Sequence, residues 1–193
     1  MKILVKVFFI LFISNLVFAQ EDSGHKISPD GLQVIFVRYQ KLHSYGDNDP
    51  SLFLDPFSEL WSVNADGSNE RCIIKNNYSP SVDIGSYLGN FDSLHFSPDG
   101  KRIYFLSQNC ATDAILYSAN ADGSNIKRIS NAHQLDVIGG NPESKYYGYL
   151  VAGIRKSQGV KPIKWTVVLL DAEGKEITEI EDVEAFWKEH KKL

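Results

Sequence analysis

The sequence predicts an all-β chain built from repeated four-stranded antiparallel units and finished by a short helix. Three observations carry that reading. Ser-Pro-Asp-Gly stands at 28–31 and again at 97–100, and Asn-Ala-Asp-Gly-Ser-Asn stands at 64–69 and again at 120–125. The segments flanking these turns are apolar runs of strand length, such as "KRIYFLS" and "AILYSAN". Two different turns recurring in the same order mark an internal repeat.

The first element is a leader. Lys2 and Lys6 flank the start of "VFFILFISNLVFA", a run too short to cross a bilayer comfortably, and polar "QEDSGHK" follows at once. This predicts a secretory signal peptide over 1–19, cut after Ala19, with Val17 and Ala19 as the small residues before the cut. No Cys lies near that site to carry a lipid anchor, and no membrane span is expected after cleavage. Taking 19 residues from 193 leaves 174, with no Pro/Ser-rich linker or low-complexity tract among them. Residues 20–193 are therefore expected to form one domain, in the periplasm or secreted.

The turns come next. Pro29 and Pro98 preset φ, Asp30 and Asp99 can bond nearby backbone N–H groups, and Gly31 and Gly100 accept positive φ. Asp66-Gly67 and Asp122-Gly123 suit two-residue hairpin turns. Reading outward from these turns, the clearest unit is "DSLHFS", "KRIYFLS", "AILYSAN" and "NIKRIS", four strands in sequence order. An earlier copy runs through "LQVIFVRYQ", a long loop and "ELWSVNADGSNERCIIK", with its first strand expected to be missing or very short. A degraded third copy reads "LDVIGGNPES", "YYGYLVAGIR", "WTVVLLDAEG" and "KEITEI". Each unit spans about 40 residues, the size of one propeller blade. The expected fold is a partial or small β-propeller-like array of about three blades. In "EDVEAFWKEHKKL" the period becomes helical, with Val183, Phe186, Trp187 and His190 on one face, acids early and lysines late. That face reads as a plug against the sheet.

The paired motifs "FSPDGKRIYF" and "LYSANADGSNIKRIS" resemble the TolB-type β-propeller repeat family, whose blades carry an SPDG turn followed by an ADGS-type hairpin. The resemblance covers most of residues 20–193 and implies a six-bladed propeller, whereas this chain supplies about three blades. Large members carry a second domain, peptide-hydrolysing or small α/β, and neither is expected here.

Chemistry is harder to find. "GSYLG" at 85–89 is not a nucleophile elbow, and His25, His43, His95, His133 and His190 show no zinc spacing. Ser62, Asn64, Asp66, Gly67 and their copies Ser118, Asn120, Asp122, Gly123 echo half a calcium loop, but Ile73 and Ile129 stand where the distal Glu belongs. No metal or cofactor is expected. The full chain carries 20 basic and 24 acidic residues, and the leader takes two of the basic ones, moving the formal charge from −4 to −6. No basic stripe invites nucleic acid. Cys72 and Cys110 can pair after export or remain two buried thiols. Asn77-Tyr78-Ser79 matches a glycosylation acceptor where the pathway is eukaryotic.

The binding candidates lie in the long loop 43–57, which carries Tyr45, Asp47, Asp49, Phe53 and Asp55. His95 joins them, because the strand before SPDG is innermost in a blade. The expectation is an exported, non-catalytic binding or scaffolding module of the cell envelope, with a protein or envelope component as partner. A monomer is favoured over a dimer, since the atypical first and third copies look like capping repeats. Two alternatives stay open: a hydrolase or lyase using His95 on the channel face, and an accessory fragment of a propeller peptidase.

Overall fold

A computed structural model describes residues 21–39, 58–77, 88–108, 114–158 and 161–192. The first sheet comprises β1 (Glu21–Ile27), β2 (Gln33–Tyr39), β3 (Ser58–Asn64) and β4 (Arg71–Ile74). The second comprises β5 (Phe91–Phe96), β6 (Arg102–Gln108), β7 (Ala114–Asn120) and β8 (Lys127–Asn131). The third comprises β9 (Gln134–Gly139), β10 (Leu150–Gln158), β11 (Lys161–Leu170) and β12 (Glu176–Glu179). All are antiparallel meanders in sequence order, so each is one blade.

The apolar alternation places two cores between three blades. Ile35, Val37 and Leu60 of the first blade meet Phe91, Leu94, Phe96, Ile103 and Phe105 of the second. On the opposite face of β6, Tyr104 and Leu106, with Leu116 of β7, meet Leu135, Val137, Leu150 and Val168 of the third. Each fully buried side chain of this size contributes about 1.5–3 kcal/mol, so these two layers hold the blades in line.

The opening strand of the first copy is a correction to the sequence expectation. β1 is seven residues long, although "EDSGHKI" shows no apolar alternation. Two things conceal it. Gly24, at φ +64, lies within a bulge that resets the register between Ser23 and Lys26. Asp22 faces Arg38 across the β1–β2 pair and is buried by forming an ion pair with it.

The ADGS turn also differs from expectation. It is a three-residue connection: Gly67 N donates to Asn64 O at 2.9 Å and Asn64 N to Ser68 O at 2.9 Å, with only the glycine at positive φ. The copy at 120–124 repeats those bonds at 2.9 and 2.8 Å. Asp66 is held out of the left-handed region by accepting from Ser68 N and Ser68 Oγ.

The helix α1 (Val183–Glu189) starts at Asp182, whose carboxylate accepts from Ala185 N at 2.9 Å. Val183, Phe186 and Trp187 lie on Ile138, Val151 and Leu169, the flank of the third blade that faces away from the second. The chain then adds β13 (Lys191–Lys192), which pairs with the inner strand β9 and makes the third sheet five-stranded. The helical period had concealed that last strand. No helix among the described residues is long and apolar enough to cross a membrane.

Candidate functional site

The SPDG turns are built as twins. Ser28 Oγ donates to Asp30 Oδ1 at 2.6 Å and accepts from Gln33 N at 2.9 Å; Ser97 Oγ does the same with Asp99 and Arg102 N, at 2.6 and 2.9 Å. Pro29 and Pro98 occupy the second turn position, and Gly31 and Gly100 have φ of 75° and 72°. Gly67 and Gly123 lie at 83° and 86°. Hydrogen bonds from the serine hydroxyls of Ser28, Ser68, Ser97 and Ser124 hold the carboxyls of Asp30, Asp66, Asp99 and Asp122 below the ordinary range. These aspartates serve the turns that contain them.

His95 is 7% exposed, and its Nε2 lies 3.1 Å from the Leu135 carbonyl oxygen. A carbonyl oxygen only accepts, so this bond places a proton on Nε2 and ties the second blade to the third. That nitrogen therefore cannot act as a base while the bond holds. Tyr45, Asp47, Asp49, Phe53, Asp55 and Cys110 lie outside the described residues. Cys72 is half-buried; burial first, then the Glu59 carboxylate, pushes its thiol up to about 11. Among the described residues no group of three or more His, Cys, Asp and Glu is placed to hold a metal ion.

The sequence reading missed two clusters. The first covers the free flank of the first blade. Arg38 donates from Nε to Asp22 at 2.9 Å and from Nη1 to Glu70 at 2.6 Å, and its guanidinium lies 4.4 Å from the Trp61 ring centroid and 5.0 Å from that of Phe36. His25 stacks on Phe36 at 5.3 Å. The hydrogen bonds to Asp22, chiefly, raise the Arg38 pKa. The second cluster is on the third blade: Trp165, 54% exposed, has the Arg155 guanidinium 4.7 Å from its ring centroid and His133 edge-on at 4.7 Å. Arg155 and Trp165 are cross-strand partners, and His133 N donates to Gly153 O at 2.8 Å, so the strand ladder sets the group. It stands where the chain passes from β10 to β11, the same end of the blades at which it passes from β2 to β3 and from β6 to β7. Trp165 could have been found by parity, since it occupies the face opposite buried Thr166 and Val168. Arg155 and His133 left no sequence signal, because strand pairing alone unites them.

No family model matches the sequence, and no curated protein matches it. Solved structures do. The β-propeller domain of the trilobed protease from Pyrococcus furiosus aligns at TM-score 0.52 and 18% identity, over 86% of this chain and 43% of that one. An oligogalacturonate lyase solved with manganese aligns at TM-score 0.56 and 14% identity, over 87% and 44%. An acylaminoacyl peptidase from Pyrococcus horikoshii aligns at 0.51 and 16%, over 86% and 26%. The chain thus spans less than half the length of each. What it shares with them is the fold: four-stranded blades of a β-propeller.

Proposed function

We propose that this chain is an exported, non-catalytic binding or scaffolding module of the cell envelope, built from TolB-type repeats and monomeric while its flanks are covered. The observation that carries the binding reading is the exposed Trp165, flanked by Arg155 and His133, at one end of the third blade. An indole more than half exposed on a rigid strand is the kind of amphipathic anchor that protein interfaces use. β2 ends and β3 begins at that same end, and the sequence between them includes the aromatics and acids of 43–57. The engagement of His95 Nε2 by a backbone carbonyl weighs against the acid/base alternative. The solved neighbours include peptidases and a lyase, and they support the fold under either reading. Support for the monomer comes from α1 on one flank and the Arg38 layer on the other.

The test uses the exported chain as bait in envelope extract, alongside Trp165→Ala with an unchanged circular dichroism spectrum. One reproducible protein partner, lost in the variant, is the expected result. Capture that ignores the substitution, or recovery of a hydrolysed small substrate instead, overturns the proposal. The amino terminus of the exported protein should be Gln20.

A further inference from the structure

The outer strand of every blade carries a β-bulge, and in every blade the extra residue is an isoleucine. Ile73 is inserted between the Leu60 and Trp61 pairings, Ile129 between those of Leu116 and Tyr117, and Ile177 between those of Leu169 and Leu170. At both internal junctions the turn glycine of the following blade closes on that isoleucine. A Cβ on Gly123 would stand 2.1 Å from the Ile73 carbonyl oxygen, and one on Gly174 would stand 2.1 Å from Ile129 Cγ2. Beside each contact the junction is sewn by a side chain from the start of the second strand. Gln33 Nε2 donates to Ala121 O at 3.4 Å, and Arg102 Nη1 donates to Ala172 O at 3.4 Å.

The array ends in two unmatched halves of this contact. Ile177 has no turn upon it among the described residues and is 43% exposed. Among the described residues the Gly67 turn has no isoleucine beneath it, and a Cβ there would meet none of their atoms within 4 Å. Ile27 holds the place in β1 that Phe96 holds in β5, each paired with the third residue after the glycine of its SPDG turn, Val34 and Ile103. Phe96 is buried against the preceding blade, whereas Ile27 is 50% exposed.

We propose that the free flank of the third blade is a docking face for the first blade of a second copy of this chain, with the Gly67 turn seated on Ile177, and that α1 holds this face shut. The partner is identified by continuity: the chain makes this contact twice within itself and carries both halves of a third. Two copies joined reciprocally would close a ring of six blades, satisfying both ends at once. The gate follows from where α1 lies. It occupies Ile138, Val151 and Leu169, where a following blade would pack, yet it is seven residues long and none of them is fully buried. A helix held by partial contacts opens before the blades do.

Cysteine cross-linking of the full chain tests this, with Cys72→Ser and Cys110→Ser as background. Gly67→Cys on one copy is mixed with Ile177→Cys on another. At the internal junctions the equivalent Cβ positions lie 2.9 and 3.2 Å apart, so a disulfide needs them to part only to its usual spacing of about 3.8 Å. The expected result is a mixed disulfide dimer several-fold above either copy alone, increased further when Phe186→Asp loosens α1. Sedimentation of Phe186→Asp alone should show a doubled molar mass, reversed by adding Ile177→Glu. No mixed dimer above the single-cysteine controls overturns the docking face, as does a folded, strictly monomeric Phe186→Asp. A cross-link indifferent to Phe186→Asp overturns the gate. Capture that depends on Trp165 is a separate readout, so either proposal can fail alone.

Discussion

Replacing Gly123 with Ala should damage the protein far more than the same change at Gly67, although the two glycines occupy copies of one turn. Both lie at positive φ, 86° and 83°, where an L side chain costs about 1–2 kcal/mol. At Gly67 that is the whole cost, because the added methyl meets none of the described residues within 4 Å. At Gly123 the methyl would also lie 2.1 Å from the Ile73 carbonyl oxygen and 2.7 Å from its carbonyl carbon. Those are backbone atoms of a paired strand, so relief requires the first and second blades to part. Overpacking of this kind adds about 1–3 kcal/mol. The difference between the two variants, about 2 kcal/mol, corresponds to roughly 4–8 °C in Tm for a domain of this size. Thermal unfolding followed by circular dichroism, with urea midpoints as a second probe, reads it directly. Equal losses at the two positions would refute the reasoning, since backbone strain alone would then account for both.

Arg38→Ala should cost about 3–5 kcal/mol, because it leaves the Asp22 carboxylate, 3% exposed, buried without its partner. Pairing it with Asp22→Leu should recover most of the loss, read from urea midpoints. The four turn aspartates titrate below their unfolded value of 3.8, so the stability they add is present above that pH and is lost as pH falls through their folded values. Urea midpoints should drop from pH 7 to pH 3, and Ser97→Ala should flatten that acid limb; an unchanged limb would contradict the turn assignment. In a Cys110→Ser chain, the Cys72 thiol at about 11 rather than 9.0 should react with iodoacetamide at pH 8 about a hundredfold more slowly than an ordinary thiol.

The parts of the fold that were legible were those whose chemistry is local. Ser97-Pro98-Asp99-Gly100 makes its turn from its own atoms, so two copies of the motif gave two blades and the pattern gave the third. β1 was not legible, because its burial depends on Asp22 reaching Arg38, sixteen residues on, and its bulge breaks the alternation. The end of the chain beyond Glu189 reads as more helix, yet Lys191 and Lys192 pair with Ile138 and Gly139, more than fifty residues away. Ile73 and Ile129 were visible only negatively, as residues that spoil a calcium loop. Their positive role needs the next blade's turn, and no spacing within one blade records it. Of the candidate site, strand parity could have exposed Trp165, whereas its union with Arg155 and His133 is a product of cross-strand register.

The position of α1 and β13 along the chain sets the order in which the molecule can form. Every blade is a meander of consecutive strands, so its contacts are local and each sheet can assemble as soon as its own segment is available. The covering of the third flank is different, for residues 183–192 follow all the strands they touch. A chain emerging from a ribosome would therefore hold two finished cores while Ile138, Val151 and Leu169 still faced water. That interval is when a holding chaperone would matter most.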